Sequence, residues 1–536
     1  MAYCNHCKED VKTILPGNKC GWCGRALSNN ATNTVPKNLS DKKNSSASLV
    51  NRLTSKIKTL SGKEIEYSRE IFATGAMKDA HFGMDKNLVI LLYRDKQGKN
   101  TRDRLEKILR DYNPTLDPEV GKYWGDLFCW PKEVLLDGDT IGVLVSKYPE
   151  SFFIKKGFGA GKPKEGKWFA SAKIRKYLDP EEKGDWEKYF RINIKLARSV
   201  RKLHAIGLAH SDLSYKNVLI DPKLGNSLMI DIDNLVVQGK FLPEVLGTPD
   251  FVAPEVIKTQ HLTKEDPKRF LPGRTTDLHA LAVLIYMYLL YRHPLKGGKM
   301  HDLDTEKDDH LAMGEKALFI ENPTDLSNRT KDRNPSEMPW IDTNKIPYSV
   351  CGPYIKELFD KAFIEGLHNP ERRPSASAWE EALIKTLDLL IPCNNKSCEQ
   401  KFFIHNFSAK PSCPFCGTNQ NKSLPVLNFY KPKRGVKGQY TEDKTRLVVY
   451  NNKPMYIYHA DTSYIANEKL QHKNPVVYFL FENGKWYLKN ISLEGLKDVG
   501  NNKLVPINSS AELIDGKQFI LSNSPSGRVI FVQIPK

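Results

Sequence analysis

Asp212, Asn217 and Asp231 are the residues of this 536-residue chain whose types and spacing can do chemistry together. Residues 210–217 read H-S-D-L-S-Y-K-N, and residues 229–233 read M-I-D-I-D. Phosphoryl transfer from a nucleotide requires one carboxylate to orient and deprotonate the attacking hydroxyl, and separate oxygen ligands to hold Mg²⁺ across the phosphates. Asp212 suits the first task, Asn217 and Asp231 the second. A loop carrying Asp212 and Asn217, a short hairpin through Val218-Leu219-Ile220, and a strand Leu228-Met229-Ile230 ending at Asp231 would bring all three to one cleft edge.

The run H-S-D-L-S-Y-K-N resembles the catalytic loop H-R-D-x-x-x-x-N of the protein kinases, and I-D-I-D sits where that family carries D-F-G. Further motifs follow in the family's order. G-T-P-D-F-V-A-P-E (247–255) resembles the end of an activation segment, and R-T-T-D-L-H-A-L-A-V-L-I-Y-M-Y-L-L (274–290) resembles the buried helix after it. E-R-R-P-S-A (371–376) resembles the late arginine motif, in which Arg373 would pair with Glu255. The resemblance implies an α+β, two-lobed kinase-like fold that binds ATP and Mg²⁺ and passes the γ-phosphoryl group to Ser/Thr of protein substrates, itself included.

The departures from the family pattern are as informative as the matches. Ser214 stands where Ser/Thr kinases carry a lysine, while Lys216 occupies the position of an arginine in many tyrosine kinases and becomes the candidate for neutralising the transferring group. Ser211 replaces the arginine of H-R-D, which implies activity without activation-segment phosphate. Asp233 replaces the glycine of D-F-G; it either joins the metal ligands or, the favoured reading, caps the following turn. Thr248 resembles the threonine that touches the catalytic aspartate in Ser/Thr kinases. No G-x-G-x-x-G occurs, and leucine stands where V-A-I-K would place lysine. Instead G-A-M-K-D-A-H-F, from Gly75, resembles the loop of the with-no-lysine kinases, which implies that Lys78 binds the phosphates, with Arg94 or Lys86 as substitutes and Glu106 as its ion-pair partner.

Eight of the ten cysteines form two groups, Cys4, Cys7, Cys20, Cys23 and Cys393, Cys398, Cys413, Cys416. Close pairs separated by a dozen or so residues are tetrahedral thiolate spacing for Zn²⁺, and C-G-W-C-G and C-P-F-C-G supply glycines for tight knuckles. Two structural zinc ribbons are predicted; disulfides are the alternative, disfavoured in a reducing cytosol. The net charge of +18 is spread along the chain, so it reads as a solvated lysine-rich surface and not as a nucleic-acid patch. Met1-Ala2-Tyr3-Cys4 has neither basic leader nor apolar stretch, and the apolar run Leu278–Tyr291 is too short to span a membrane. A cytoplasmic protein is expected.

The predicted organisation is a zinc ribbon at 1–27, a Ser/Asn/Thr/Lys-rich flexible linker at 28–62, a kinase small lobe at 63–150, a large lobe at 151–392, a second ribbon at 393–424 and an all-β sandwich at 425–536. Strand signals at 88–93, 133–136 and 141–145 flank a helix at 101–109, and 146–150 would be the hinge that meets adenine. Residues 293–347 are a charged insertion. The C-terminal sandwich resembles a forkhead-associated (FHA) domain in F-E-N-G-K-W-Y-L-K-N (481–490), without its phosphate-gripping signatures, so docking or self-association is favoured over phosphopeptide reading. The tract from His293 to Ala376 resembles kinases found beside von Willebrand A-type and PP2C phosphatase partners in bacterial tellurite-resistance and stress clusters. Two other classes compete: a nucleotide-binding pseudokinase scaffold acting through its ribbons and sandwich, and a nucleic-acid-binding protein.

Overall fold

The computed structural model describes residues 54–536 apart from 76, 238–239, 242, 244–245, 332–338, 437 and 470–472, together with the backbone of short strands between residues 2 and 20. Cys7, Cys23 and the side chains of Cys4 and Cys20 lie outside the described residues, as does most of the predicted linker.

The first lobe is a closed barrel of six strands, β1 (Thr54–Thr59), β2 (Glu64–Thr74), β3 (Lys78–Gly83), β4 (Leu88–Tyr93), β5 (Glu133–Asp137) and β6 (Thr140–Ser146), in the order β6-β4-β3-β2-β1-β5. The first described strand of the lobe, at Thr54, thus lies inside the stretch read as linker. In β1, Ile57 and Thr59 alternate inward at 3 % exposure while the lysines between and beside them face out, a period-two pattern too short and too polar to stand out in sequence. Ile57, Ile90, Leu135 and Leu144 fill the barrel. Helix α1 (Lys99–Arg110) lies against its outside, burying Thr101, Arg104, Leu105, Ile108 and Leu109, the i, i+3, i+4, i+7, i+8 stripe of a half-buried helix.

The second lobe is organised by two helices. Helix α2 (Trp186–Ala205) starts on Asp185, whose carboxylate accepts from Lys188 N at 3.1 Å, and delivers the chain to the loop at 210. Helix α3 (Arg274–Leu290) is apolar on all sides after its first turn and is correspondingly buried on all sides. The charged insertion carries a helix at Thr305–Met313, and Glu321 ties it to the core by accepting from Arg292 Nη2 at 2.5 Å and Tyr348 N at 2.8 Å. None of the described helices is long and apolar enough to cross a membrane.

Helix α4 (Ala376–Leu389) runs into the strand Leu390–Pro392, which pairs with Phe402–Ile404 and opens the second cysteine group. That small unit is packed onto the large lobe. Trp186 N donates to Gln400 O at 3.0 Å, Glu399 pairs with Arg175 at 3.0 Å, and Phe415 touches the rings of Trp186 and Trp340 at 4.9 and 5.1 Å. Beyond it lie two antiparallel sheets. One runs Tyr440–Val448, Val426–Pro432, Val529–Gln533, Gln518–Ile520, Lys497–Asp498, Lys503–Leu504; the other runs Pro454–Tyr456, Pro475–Glu482, Lys485–Asn490, Ser510–Glu512. Their inner faces share one core that includes Leu427, Phe429, Phe479 and Leu488. The hairpin at 475–490 turns through Asn483-Gly484, both left-handed (φ 50° and 78°), as a two-residue primed turn demands. Asp388 of α4 anchors this region: its carbonyl accepts from Lys453 Nζ at 2.5 Å and its carboxylate meets His459 Nε2 at 3.0 Å.

Arg373 pairs with Glu255 as the sequence predicts, through two parallel bonds of 2.7 and 2.8 Å, with the arginine side chain only 1 % exposed. Arg373→Ala leaves that carboxylate unmatched and is expected to cost about 3–5 kcal/mol, read as a lower midpoint in urea unfolding followed by tryptophan fluorescence.

Candidate functional site

The site is built outward from α3. Asp277, in that helix's first turn and 1 % exposed, accepts from the backbone N–H groups of His210 (2.7 Å) and Ser211 (2.9 Å), with His204 Nε2 at 3.1 Å. These bonds satisfy a carboxylate that would otherwise be costly to bury, and they fix the loop it grips. The loop bends at Ser211, whose φ of 64° carries the left-handed penalty of roughly 1–2 kcal/mol for a side chain of this kind. On its far side His210 Nε2 lies 3.1 Å from Ile230 O, which ties the loop to the residue before Asp231.

Asp212 is held from two directions. Thr248 donates to its Oδ1 through both backbone N (2.6 Å) and Oγ1 (2.9 Å), and Asn217 Nδ2 donates to its Oδ2 (3.0 Å) and carbonyl (2.8 Å). Ser214, fully buried, sits 3.2 Å from Thr248 Oγ1 and so supports the threonine, which explains why a small hydroxyl fills that position. Strands β7 (Val218–Asp221) and β8 (Asn226–Met229) pair in register, and Ile230 N donates to Asn217 O at 3.0 Å. Asn217 and Asp231 are thereby neighbours at the hairpin's open end. Because Asn217 spends its amide hydrogens on Asp212, its Oδ1 is the atom left to bind a hard cation, alongside an Asp231 carboxylate that keeps 31 % exposure. The donor set fits Mg²⁺.

Lys78 enters from the other lobe. It opens β3, in register with Tyr93 of β4, with Ala80 facing the same way, and its side chain is 9 % exposed. Nζ lies 2.7 Å from Asp231 Oδ1 and 2.8 and 2.6 Å from the two oxygens of Asp233. Burial alone would lower the Lys78 pKa, but Asp233 and Asp231 outweigh it and hold the ammonium above its usual range. For Asp231 burial pushes up and Lys78 pulls down harder, so the carboxyl titrates below the ordinary range. Both ends stay charged.

Among the remaining candidates, Glu106 and Asp233 take partners other than those expected. Glu106 does not meet Lys78; it faces outward and pairs with Arg102 at 2.9 Å, because the inward stripe of α1 falls on 101, 104, 105 and 108. Asp233 does not cap the next turn: it is 2 % exposed, its oxygens accept from Lys78 and Tyr93, and among the described residues no backbone N–H donates to its carboxylate. Arg94 binds Gly75 O at 2.8 Å and steadies the turn in which Gly75 N donates to Lys78 O. Lys86 sits in the turn at the opposite end of the β3–β4 hairpin, about 13 Å or more along the strands from Lys78. Lys216 is exposed on the loop, and its backbone N donates to Ser214 Oγ at 3.3 Å. Sequence reasoning missed Asp277 and Tyr93; the first was visible as an acid opening an apolar helix, the second only once strand register is known.

The sulfurs of Cys393, Cys398, Cys413 and Cys416 lie within 4.8 Å of one another, with Cys393–Cys416 at 3.5 Å and Cys398–Cys413 at 4.0 Å. Four Zn–S bonds of ~2.3 Å in a tetrahedron place sulfurs ~3.8 Å apart, so the set fits Zn²⁺. Gly417 takes φ 73° to close the knuckle, as its position after C-P-F-C requires.

Residues 172–381 match the protein kinase domain family. The chain is 33 % identical over 100 residues to a probable serine/threonine-protein kinase, fhkC, of Dictyostelium discoideum, covering 18 % of this chain and 15 % of that one. It is 26 % identical over 203 residues to the probable serine/threonine-protein kinase MARK-C of the same organism, covering 35 % and 24 %. It is 25 % identical over 181 residues to serine/threonine-protein kinase RAD53 of Saccharomyces cerevisiae, covering 30 % and 22 %. The chain thus spans less than a quarter of the length of each of these relatives, and the similarity is that of a protein kinase domain.

Replacing Cys398 and Cys413 together by serine is expected to remove about one equivalent of zinc per chain, measured by plasma mass spectrometry, and to lower the unfolding midpoint because the knuckle's Phe415 packs on the large lobe.

Proposed function

We propose that this protein is a Ser/Thr protein kinase that transfers the γ-phosphoryl group of ATP to protein hydroxyls, its own included. The observation that carries the reading is the convergence on one cleft of Asp212, held by Thr248 and Asn217, with Asp231 and Lys78. Asp212 Oδ2 accepts one bond, from Asn217, and keeps a lone pair to take the substrate hydroxyl proton, whereas Oδ1 accepts two bonds from Thr248. Bound Mg²⁺ would neutralise phosphate charge at Asn217 and Asp231. Lys78 would meet the same phosphates from the small lobe, and exposed Lys216 is free to reach the transferring group from the loop. The Thr248 contact favours Ser/Thr over tyrosine. We place the protein, through the sequence resemblance, in bacterial stress signalling beside a PP2C-type phosphatase and a von Willebrand A-type protein, with the FHA-like sheets at 425–536 as a docking module.

A second reading draws on one observation. Lys78 is already neutralised by two carboxylates, as it would be in a nucleotide-binding pseudokinase scaffold that acts through its ribbons and sheets. Incubation with labelled ATP and Mg²⁺ separates the two. The wild type should incorporate phosphate; Asp212→Ala should reduce incorporation by about 100-fold or more, Lys78→Met should abolish it, and Lys86→Met should leave it unchanged. Equal incorporation by wild type and Asp212→Ala would sink the kinase reading.

A further inference from the structure

A lysine that must meet phosphate needs an anchor that holds its long side chain extended, and the helix of the small lobe offers Lys78 none. Glu106 is turned to Arg102, and the inward charged position of α1 is an arginine, Arg104. The carboxylate that does hold Lys78 is Asp233, two residues beyond Asp231. Both of its oxygens accept from Nζ, at 2.8 and 2.6 Å, and Oδ2 also accepts from Tyr93 Oη at 2.7 Å. The three residues form a closed triangle: Lys78 and Tyr93 are cross-strand partners on adjacent strands of the barrel, and Asp233 reaches both from the other lobe. All are at most 8 % exposed. With its oxygens so occupied, Asp233 is poorly placed to serve as a metal ligand.

We propose that Asp233 is the positioning residue for Lys78, with Tyr93 fixing the orientation of its carboxylate. The anchor has moved from the helix to the segment that carries the metal-binding Asp231. Asp231 shares Lys78 through a single bond and can yield it to a phosphate oxygen, while Asp233 keeps the ammonium in place. The lysine is therefore set by the position of residues 231–233 and not by that of α1. This rests on the kinase reading only for the identity of the phosphate that Lys78 meets.

The test has an arm that needs no nucleotide. The full chain is treated with N-hydroxysuccinimidyl acetate and labelling of each lysine is followed by peptide mass spectrometry. Lys78 should be protected in wild type and label about 10-fold faster in Asp233→Asn, while Glu106→Gln leaves it protected. Lys164, 3 % exposed and paired with Glu182, reports that the variant is folded. If Asp233→Asn exposes Lys164 as well, Tyr93→Phe decides, with a rise in Lys78 labelling of about 2- to 5-fold supporting the proposal and no rise overturning it. The second arm measures turnover against ATP concentration. Asp233→Asn should raise the KM for ATP by about 10-fold, and in equilibrium ATP-binding titrations adding it to Lys78→Met should weaken affinity no further than Lys78→Met alone, since the two act as a unit. Protection of Lys78 in Asp233→Asn equal to wild type, or loss of protection in Glu106→Gln, overturns the proposal. Asp233-dependent protection in a protein that incorporates no phosphate supports it and overturns the kinase reading instead.

Discussion

The carboxylate of Asp277 is the fixed point of this molecule. An acid in a largely apolar helix survives burial because two backbone N–H groups of the loop at 210, with His204 beside them, come to it. That requirement runs in both directions. The helix cannot pack as it does without the loop, and the loop cannot hold Ser211 in a left-handed bend without the helix. Asp212, one residue further on, inherits its direction from this exchange, and Thr248 and Asn217 then close around it. The Ile230 carbonyl, held near His210, carries the same order across to Asp231 and so to Lys78 in the other lobe.

The large lobe also organises the C-terminal part of the chain. Trp186, which opens the helix leading to the loop, presents its backbone N–H to Gln400 and its ring to Phe415. Asp388, at the end of α4, receives Lys453 and His459 from the C-terminal sheets. Arg198, on the helix leading to the loop at 210, bonds Glu380 of α4 at 2.6 Å and the carbonyl of Ala466 at 2.9 Å. Buried, directional contacts of this sort join the cysteine knuckle and the sheets to one scaffold, in contrast with modules strung on a flexible tether.

Much of the site is legible in the sequence because its chemistry is local. Asp212, Asn217 and Asp231 occur within twenty residues, and one hairpin brings them together. Lys78 stands out because a glycine turn precedes it, and Arg373 because its partner Glu255 lies in a motif of its own. Other features depend on register or tertiary packing. Glu106 and Arg104 are both polar residues of one amphipathic helix, and only the observed stripe decides which faces in. The strand at Thr54–Thr59 has Lys and Thr at most positions and takes its strand character from the neighbours that flank it. Tyr93 acquires a role only when β3 and β4 are aligned, and Asp233 only when the two lobes meet. The docking of Phe415 between two tryptophans more than 150 residues apart has no local signature at all.

Closure of the first lobe into a barrel has a consequence for how the protein behaves in company. With β1 paired to β2 over five residues and to β5 at Lys58 and Thr59, the sheet closes on itself and, among the described residues, leaves no free edge strand. Polymerisation by strand addition is denied a template there, and the lobe resists shearing of one strand past the next. The geometry of its wall is accordingly set within the lobe, by its own hydrogen-bonded ring of six strands.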